Sequence, residues 1–520
     1  MSKTNFSANF YVTSPIYYVN DKPHIGHAYT SIACDILARF KRLQKNNVFF
    51  LTGTDEHGQK VEKSAIKNNK TPQQFCDEVS QSFRDLAKFI NLANDDFIRT
   101  TEKRHKEVVQ ILWQKLEKAG FIYKDVYEGW YSVRDEAFYN EDEIVDGKAP
   151  SGAEVEWQKE ESYFFKLSAF GDKLLEFYEQ NPQFVEPKSR LNEVKSFVKS
   201  GLKDLSISRT SFNWGIKVPN DENHVIYVWL DALTNYISAL GFEDKQKYQD
   251  FWLNAKESPI HIVGKDILRF HAIYWPAFLM AVNIKLPHKV FAHGWWTNEG
   301  QKISKSVGNV IDPYQEIEWL KSLGVDEDLA IDYFRYFLMR EVPFGNDGDY
   351  SRESFILRIN AELANNIGNL AQRTLTMIFK NCEAKIPPIA HESLQNYQKS
   401  CQKFEQQIPQ LIDELKFDKA LEAIIEFASQ INKELNDQAP WSLKKEGKIK
   451  EMQEILYIAA DAVRKIAIWL QPFMPKSSEK LLDLLNLEAG KRNLVNISEI
   501  LAEGQEINQP KPVFLRLGLK

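Results

Sequence analysis

The chain has 520 residues, which at roughly 150 residues per domain corresponds to about three or four folded units. Hydrophobic residues make up 43% of it and charged residues 27%, a composition that is typical of globular proteins and excludes a disordered or collagen-like chain. Its formal net charge is −6, so any binding of nucleic acid must use local basic surfaces.

The beginning of the chain predicts a strand, a helix and a second strand. Residues 10–13 and 48–51 are short apolar runs, and apolar side chains recur at helical spacing within residues 32–43. Such a unit places its two strands in a parallel sheet, and these sheets bind ligands beyond the carboxyl ends of their strands. We therefore expect binding residues in loops 13–27 and 53–58.

The later sequence predicts a continuation of this sheet, an insertion and a helical region. Strand-to-helix transitions recur at residues 225–228 and 261–263, and a further strand is predicted at 290–292. Residues 116–215 are rich in Tyr, Trp, Glu and Asp and predict a small inserted domain. From about residue 355 onward, long stretches with helical apolar spacing predict a helical bundle.

A His-x-Gly-His motif, His24 to His27, lies just before the first predicted helix. The N-terminus of a helix offers unpaired N–H groups and a positive partial charge, Gly26 allows close backbone approach, and imidazoles add hydrogen-bond donors. The motif therefore predicts a phosphate site. A pair of loop histidines without a ligand would give the same sequence pattern.

A lysine–serine motif follows a glycine-bounded turn that ends at Gly300. Lys302 and Lys305 are three residues apart, and serines flank Lys305 on both sides. Two lysines so placed can neutralise a triphosphate. Basic segments with serines are also common on solvated loops, so this motif alone does not decide between the two interpretations.

Together and in this order, the two motifs resemble the HIGH and KMSKS signatures of class I aminoacyl-tRNA synthetases. Residues 11–20, 52–58 and 228–232 resemble the methionyl-tRNA synthetase family in particular, and the likeness extends through residues 438–441. The resemblance implies a ligase that activates L-methionine with ATP, forming methionyl-adenylate and pyrophosphate. The same enzyme would then transfer methionine to the 3′ end of tRNA(Met), with initiator and elongator tRNA as partners.

The resemblance also implies how the chain is divided. It predicts an α/β Rossmann-type parallel-sheet catalytic domain, a small inserted α+β domain and an all-α helical-bundle anticodon-binding domain. The predicted segments are residues 1–115 for the first half of the catalytic domain, 116–215 for the inserted connective-peptide domain, 216–295 for the second half, 296–355 for the KMSKS loop and stem-contact region, and 356–520 for the anticodon-binding domain.

For the phosphates and the adenosine, the family's residues fall on the two motifs and on a later strand end. His24, His27, Lys302 and Lys305 are the implied catalytic residues, which stabilise negative charge on the phosphates as pyrophosphate leaves. The implied ATP-binding residues are Gly26, Gly264, Asp266 and Lys305, with Mg²⁺ held mainly by the nucleotide. Asp266 could instead cap the helix that follows it.

For methionine, the resemblance implies that Asp55 pairs with the ammonium group. The flexible, apolar side chain with its polarisable sulfur calls for an aromatic and aliphatic pocket. From residue types alone, most of the implied pocket would be assigned to helix cores. Its members are Trp229, Ala232, Leu233, Tyr236, Ile267, Phe270, His271 and Trp275.

In the helical region, Asn369 and Arg373 are four residues apart on one helical face, and Trp441 follows a proline at a helix start. The family recognises the CAU anticodon with such residues, by hydrogen bonds to bases and stacking on the indole. An exposed polar pair and a buried tryptophan would be the structural alternative.

The inserted domain lacks the residues with which many family members bind zinc. Those members use Cys-x-x-Cys and Cys-x-x-His ligands, but residues 131–135 and 147–152 contain no cysteine or histidine. We therefore expect no structural zinc and no metal ligand in the protein. Aromatic packing and an Asp135–Lys148 contact should stabilise this knuckle instead, the aromatic residues being Trp130, Phe138, Tyr139 and Trp157.

The sequence also bears on location and assembly. No uninterrupted apolar run is long enough to cross a membrane, and residues 1–20 lack the apolar core of a signal peptide. The four cysteines show no close pairing, which suits a reducing compartment. We expect a cytoplasmic protein without membrane partners. We also expect a monomer, because the appended tRNA-binding barrel that mediates dimerisation in some relatives is not present in the sequence.

Other functions stay open at this point. Leucyl, isoleucyl and valyl enzymes share both signatures but usually carry a much larger insertion, and a cysteinyl enzyme would need a zinc site. A tRNA-binding paralogue without catalysis is a further alternative, although His24, Asp55 and Lys305 are all present. A nucleotidyltransferase with a His-x-Gly-His loop would leave the helical region unexplained.

Overall fold

The computed structural model describes residues 8–19, 22–132, 137–139, 141–243, 245–303 and 309–518. The strands are β1 (Asn9–Tyr18), β2 (Asn47–Asp55), β3 (Asp96–Arg99), β4 (Ile122–Ser132), β5 (Ala137–Tyr139), β6 (Glu156–Phe165), β7 (Val185–Glu186), β8 (Leu205–Ser206), β9 (Ser208–Arg209), β10 (Lys217–Val218), β11 (Asp221–Ile226), β12 (Ile260–Gly264), β13 (Lys289–His293), β14 (Trp296–Asn298), β15 (Gln301–Lys302) and β16 (Gly348–Tyr350).

The α-helices follow the same chain order, and three π-helical segments, Gln249–Leu253, Phe270–Tyr274 and Ile359–Gly368, occur among them in the described part of the chain. They are α1 (Ile25–Leu43), α2 (Gln59–Lys67), α3 (Pro72–Phe89), α4 (Lys103–Lys118), α5 (Gly171–Gln180), α6 (Lys188–Lys199), α7 (Val228–Leu233), α8 (Asn235–Ser238), α9 (Gln246–Tyr248), α10 (Trp275–Ala281), α11 (Pro313–Ser322), α12 (Glu327–Arg340), α13 (Arg352–Arg358), α14 (Asn369–Asn381), α15 (His391–Asp413), α16 (Phe417–Gln438), α17 (Pro440–Lys445), α18 (Ile449–Leu470) and α19 (Pro475–Leu484).

The chain folds into two compact units. The sheet unit contains Asn9–Pro23 and Phe49–His293. The helical unit contains Ala8, His24–Val48 and the described residues from Gly294 to Gly518. The helix α1 and the strand β1 that precedes it in the chain therefore belong to different units.

A six-stranded sheet forms the centre of the sheet unit, with the strand order β3-β2-β1-β12-β13-β7. β1 pairs with β12, β12 with β13, β13 with β7, and β2 with β3, all in parallel. Strands β1 and β2 are buried along nearly their whole length, as is usual for a sheet covered on both faces. The carboxyl ends of β2 and β12 are at Asp55 and Gly264.

Two antiparallel sheets lie between β3 and β12 in the chain. One has the order β5-β4-β6-β8 and a smaller one the order β10-β11-β9. The strand predicted at 225–228 is therefore placed differently from our expectation, because β11 pairs antiparallel with β9 and β10 rather than continuing the parallel sheet. An apolar run indicates a strand but not its partner.

Large aromatic side chains fill the core of the sheet unit. Trp113, Trp252 and Trp275 are fully buried there. Phe165 of the inserted sheet packs edge-on against Phe278 of α10, with ring centroids 4.8 Å apart. The insertion and the parallel sheet thus share one apolar core, whose burial stabilises both.

A buried ion pair joins α1 to α12 inside the helical unit. Arg335 lies 2.6 Å from Asp35, and neither side chain is exposed to solvent. The guanidinium also donates to the carbonyl oxygens of Pro472 and Phe473, which satisfies more of its N–H groups. The long helices α14, α15, α16 and α18 belong to the same unit, so the predicted helical C-terminal region is present.

Two local expectations differ from the structure. The loop expected at residues 13–27 is shorter than predicted, because β1 continues through Ser14 and Pro15 to Tyr18, and the fixed φ of proline is compatible with extended backbone. The first helix begins at Ile25, earlier than the apolar spacing indicated. In the described part of the chain, no helix is both long and apolar enough to cross a membrane.

Candidate active site

The two motif histidines lie at the start of α1, where their rings hydrogen-bond to the backbone. His24 is the N-cap, and its Nδ1 accepts from the Gly26 N–H at 3.1 Å. His27 Nδ1 accepts from the His24 N–H at 3.0 Å, and the ring centroids are 3.9 Å apart. Because both Nδ1 atoms are acceptors, each neutral ring carries its proton on Nε2. Two imidazole donors thus accompany the helix N-terminus.

Gly26 leaves room for this arrangement. A Cβ atom at Gly26 would lie 3.0 Å from His24 Cε1 and 3.2 Å from His24 Nδ1, which is tighter than ordinary van der Waals contact. Any side chain at this position would push the His24 ring away from the Gly26 N–H. The glycine therefore determines where His24 points.

Described residues on either side of the second motif contact the start of α1 and each other. The Ile25 N–H donates to the Ile311 carbonyl oxygen at 3.0 Å, and the Asn298 side chain donates to the Asn309 carbonyl at 3.1 Å. The backbone of Lys302, in β15, pairs with that of Thr297, in β14. Lys305 lies outside the described residues. The segments on either side of it belong to the helical unit, as His24 and His27 do.

In the sheet unit, Asp55 is the last residue of β2 and is 7% exposed. Its carbonyl oxygen accepts from the Val19 N–H at 3.1 Å. The next residue, Glu56, is fully buried and accepts two hydrogen bonds from Arg99, at 2.7 and 3.0 Å. A charge-assisted bidentate pair of this kind fixes the backbone beside Asp55.

Gly264 and Asp266 follow the end of β12. Gly264 precedes a 3₁₀ turn, Lys265–Ile267, so Asp266 lies inside the turn and does not cap it. A Cβ atom on Gly264 would lie 2.5 Å from Asp266 Oδ1, which shows that the carboxylate folds back over the glycine. Asp266 is exposed to solvent. The pair presents an accessible carboxylate at the carboxyl end of a parallel strand.

The predicted methionine-binding residues divide into a half-buried pair of aromatic rings and a set of buried side chains. Trp229 and Phe270 stack with centroids 3.4 Å apart and are half-buried. Tyr236 and Trp275 are fully buried, and their ring centroids are 6.1 Å apart. Ala232 and Leu233 are also buried, whereas Ile267 is half-buried.

Two histidines are held uncharged beside Tyr236. Burial lowers the pKa of His271 to about 4, although the Ile267 carbonyl and Asp266 act in the opposite direction. His271 Nδ1 donates to that carbonyl at 2.9 Å, so its Nε2 accepts from the Tyr236 hydroxyl at 2.7 Å. Burial, together with nearby His271, places the pKa of His261 well below its usual value.

His261 was not predicted from the sequence. Its ring stacks on Tyr236 with centroids 4.0 Å apart, and its Nδ1 lies 2.8 Å from the Thr13 hydroxyl. Among the described residues, His261 Nε2 and Trp275 Nε1 have no hydrogen-bond partner. Buried polar atoms without partners are uncommon in native structures, and a bound ligand can supply them. The sequence signal that could have identified His261 is the presence of a histidine within an otherwise apolar strand, β12.

A second group of missed residues surrounds Asp231. His57 Nδ1 and His105 Nε2 lie 2.7 and 2.8 Å from its two carboxylate oxygens. The three residues are far apart in the sequence, so spacing could not associate them. Burial alone would raise the pKa of Asp231, but the two histidines outweigh it and lower the pKa to about 2.

The three predicted anticodon residues lie in the helical unit. Arg373 on α14 lies over the Trp441 ring, 4.9 Å from its centroid, and donates to Asn436 at 2.9 Å. Trp441 is 39% exposed, so it is not the buried core residue that the structural alternative required. Asn369 is exposed at the first position of α14. The structure therefore brings Arg373 and Trp441 together on a solvent-accessible surface.

The knuckle predicted to lack zinc is described only in part. Trp130 and Trp157 pack edge-on with centroids 5.4 Å apart, and Tyr139 pairs with Trp130 across β4 and β5. Asp135, and with it the expected contact to Lys148, lies outside the described residues. No group of three or more His, Cys, Asp or Glu residues suited to a metal ion occurs in the described ranges.

Comparison with known proteins extends these observations to the whole chain. Residues 10–156 and 149–375 match the family "tRNA synthetases class I (M)", and residues 396–515 match the "Anticodon-binding domain of tRNA ligase". The chain is 55% identical over 516 residues to the methionine–tRNA ligase of Rickettsia felis, covering 98% of both. It is 50% identical over 523 residues to that of Rhizobium meliloti, again covering 98% of both.

Solved structures show the same likeness. The structure of Mycobacterium tuberculosis methionyl-tRNA synthetase in complex with methionyl-adenylate has a TM-score of 0.92 and 44% identity, covering 98% of this chain and 100% of that chain. Its apo form has a TM-score of 0.88 and 40% identity, covering 100% of both. Since the family match and the close relatives span nearly the entire sequence, the chain belongs to the methionyl-tRNA synthetase family of class I aminoacyl-tRNA synthetases.

Proposed function

We propose that this chain is a methionine–tRNA ligase. It activates L-methionine with ATP to methionyl-adenylate and pyrophosphate, and then transfers methionine to the 3′ end of tRNA(Met). The observation that carries the proposal is the full-length likeness to methionyl-tRNA synthetases, including one in complex with methionyl-adenylate. The described sites add a chemical basis for each part of the reaction.

His24 and His27 stabilise the phosphates in this proposal. Adenylate formation places negative charge on phosphate oxygens while pyrophosphate leaves, and preorganised donors lower the barrier for such a step. The two Nε2 donors at the N-terminus of α1 support this role, because Nδ1 of each ring is already held by the backbone. Lys305, helped by Lys302, grips the departing phosphates. Mg²⁺ enters with ATP as part of the substrate.

The adenosine of ATP is assigned to Gly264 and Asp266, and Gly26 is assigned to ATP with the phosphate motif. A ribose presents two hydroxyl donors, and the exposed carboxylate of Asp266 is a suitable acceptor at the carboxyl end of a parallel strand. The carboxylate also lies over the Cα of Gly264, where no Cβ obstructs it. A bound nucleoside can therefore reach the exposed carboxylate.

Methionine is assigned to Asp55 and to the aromatic residues of the sheet unit. The Asp55 carboxylate pairs with the ammonium group, on a backbone fixed by Glu56 and Arg99. The side chain of the methionine substrate lies against Trp229 and Phe270, and the other implied pocket residues surround it. The uncharged state of His271 supports this role, because a charged imidazole would oppose burial of an apolar side chain.

The anticodon is assigned to the surface formed by Asn369, Arg373 and Trp441. An exposed indole beside a guanidinium can stack a splayed base and donate hydrogen bonds to its edge. Both initiator and elongator tRNA(Met) carry the CAU anticodon and would use this surface. A cytoplasmic location, a monomeric state and the lack of structural zinc stay predictions from the sequence.

Charging of tRNA tests the proposed function. The purified protein is incubated with ATP, Mg²⁺, labelled L-methionine and either initiator or elongator tRNA(Met), and a transcript with an altered anticodon serves as the matched control. We expect both tRNAs to be charged and the control to be charged far more slowly. Charging with another amino acid would identify a different class I enzyme. Lack of both charging and adenylate formation would identify a non-catalytic paralogue.

A further inference from the structure

A buried chain of hydrogen bonds runs through the sheet unit beside the proposed methionine residues. Its members are His57, Asp231, His105 and Ser238, none of which is more than 3% exposed. Asp231 accepts from His57 Nδ1 at 2.7 Å and from His105 Nε2 at 2.8 Å. His105 Nδ1 lies 2.8 Å from the Ser238 hydroxyl. Each imidazole therefore presents one defined nitrogen to the carboxylate.

Two members of this hydrogen-bond chain, His57 and Asp231, lie next to different parts of the proposed methionine site. His57 follows Asp55 by two residues, beyond the anchored Glu56. Asp231 lies in α7 between Trp229 and Ala232, and Ser238 ends α8. The single His57–Asp231 contact thus joins the loop that supplies the ammonium partner to the helix that supplies the aromatic wall.

The loop has further supports around His57. Trp214 packs edge-on against the His57 ring, with centroids 5.6 Å apart, and its Nε1 donates to the Glu56 carbonyl at 2.5 Å. On the other side of Asp231, His105 belongs to α4 and supports the carboxylate from a third element. Because buried charges need well-aligned partners, this carboxylate tolerates few arrangements of the segments around it.

We propose that His57, Asp231 and His105 are positioning residues for methionine, which hold the Asp55 loop and the Trp229 helix at a fixed spacing. This proposal rests on the proposed function, because it takes Asp55 and Trp229 as the groups that contact the amino acid. His57 and His105 need not touch a substrate. Their effect is transmitted through Asp231, whose two oxygens they hold in place.

The geometry predicts which replacements of His57 and His105 preserve the hydrogen bonds to Asp231. An Asn side chain places its amide nitrogen close to the position of Nδ1 of a histidine, and Gln places it close to that of Nε2. His57 donates through Nδ1 and His105 through Nε2. His57→Asn and His105→Gln should therefore retain the contact to Asp231, whereas His57→Gln and His105→Asn should lose it. Each position therefore compares Asn with Gln, two side chains of similar polarity. Asn should keep the contact to Asp231 at position 57, and Gln should keep it at position 105.

The test is methionine-dependent ATP–pyrophosphate exchange with all four variants, the wild type and His288→Gln, an exposed histidine of the same unit, as the control. We expect His57→Gln and His105→Asn to raise the KM for methionine about tenfold, the effect of one lost buried hydrogen bond, while the KM for ATP changes by less than about twofold. His57→Asn, His105→Gln and the control should stay close to the wild type.

The outcomes separate this inference from the proposed function. Equal KM values for methionine in the Asn and Gln variants at each position would overturn it, as would a parallel rise in the KM for ATP, which indicates a general loss of structure. If one variant at a position does not fold, the pair at the other position decides by the same criterion. A wild-type protein without methionine-dependent exchange would instead refute the proposed function.

Discussion

At the scale of single residues, Gly26 controls the first histidine of the phosphate site. A Cβ atom there would crowd the His24 ring at 3.0 Å. We expect Gly26→Ala to lower the rate of methionyl-adenylate formation by about 10²-fold, the usual effect of displacing one preorganised donor, with little change in stability. Single-turnover measurement of adenylate formation checks this.

A second glycine serves as the control for that substitution. Gly171 begins α5, and a Cβ atom there would meet nothing within 4 Å. Gly171→Ala should therefore leave adenylate formation unchanged and stabilise the helix by up to about 1 kcal/mol. If Gly26→Ala were as active as Gly171→Ala, the position of His24 would not matter for the reaction.

His271 should make the stability of the protein depend on pH. Its pKa is about 4 in the folded protein because of burial, against an ordinary value of 6.5. Above pH 6.5 neither state binds the proton, so this contribution is fully present. As the pH falls from 6.5 to 4, only the unfolded chain binds it, and the free energy of unfolding decreases by about 3 kcal/mol in total.

His271→Gln removes this titration while its side-chain oxygen can still accept from the Tyr236 hydroxyl. We expect the variant to lose less stability than the wild type between pH 6.5 and 4, in urea unfolding at several pH values. The same decrease in both proteins would show that His271 titrates normally.

Positions of single residues could be predicted from the sequence where all the interacting residues lie in one short segment. His24 and His27 are placed by the first turn of a single helix, and their spacing could be read directly. The contact between His57 and Asp231 spans 174 residues, and that between His105 and Asp231 spans 126. Such contacts depend on how helices and strands pack, which the local pattern does not contain.

At the scale of helices and strands, the ion pair between α1 and α12 should contribute strongly to the stability of the helical unit. Asp35→Ala leaves the Arg335 guanidinium buried without its carboxylate. We expect a loss of about 3 to 5 kcal/mol, because an uncompensated buried charge is costly. Urea unfolding of the variant measures this loss.

An exposed pair in the same unit provides the comparison. Glu426 lies 3.3 Å from Lys403, and both side chains are largely exposed. Glu426→Ala should cost less than about 1 kcal/mol. If Asp35→Ala cost no more than Glu426→Ala, the buried pair would contribute little to the association of α1 with α12.

The strands of the parallel sheet were predictable and the partner of one predicted strand was not. Residues 261–263 and 290–292 fall in β12 and β13, neighbours in the sheet. Val225 belongs instead to a small antiparallel sheet. The buried apolar residues at the end of β11, Val225 and Ile226, are compatible with a strand of either sheet. The type of element was therefore encoded locally, whereas its neighbour was set by the rest of the chain.

At the scale of the whole molecule, Trp441 should separate recognition of tRNA from activation of methionine. The indole is 39% exposed and lies beneath Arg373 in the helical unit. Trp441→Ala should reduce charging of tRNA(Met) by about 10- to 100-fold, since stacking of one base contributes about 1 to 3 kcal/mol. Pyrophosphate exchange should stay near the wild-type rate, because that reaction needs no tRNA.

Trp441→Phe is the graded control, since it keeps an aromatic ring on the same surface. It should retain more charging activity than Trp441→Ala. An equal loss of exchange and charging in Trp441→Ala would mean that the residue supports the fold rather than the anticodon.

The family and its fold were predictable from the sequence, because the motifs at both ends of the chain are specific in combination. The relatives' sequences match over 98% of the chain and confirm that family. The predicted domain boundaries stay predictions, and the structure groups His24–Val48 with the C-terminal helices. Chain order could not reveal this grouping, because it arises from the packing of α1 against helices such as α12.

Specific activation of methionine can be measured separately from the charging of tRNA. ATP–pyrophosphate exchange is measured with the purified protein and each of the twenty amino acids in turn, without tRNA. We predict exchange with L-methionine that exceeds exchange with leucine, isoleucine, valine and cysteine by at least about 10²-fold, because only methionine matches both the Asp55 carboxylate and the aromatic pocket. Faster exchange with any other amino acid, or no exchange with methionine, would show that this protein does not activate methionine specifically.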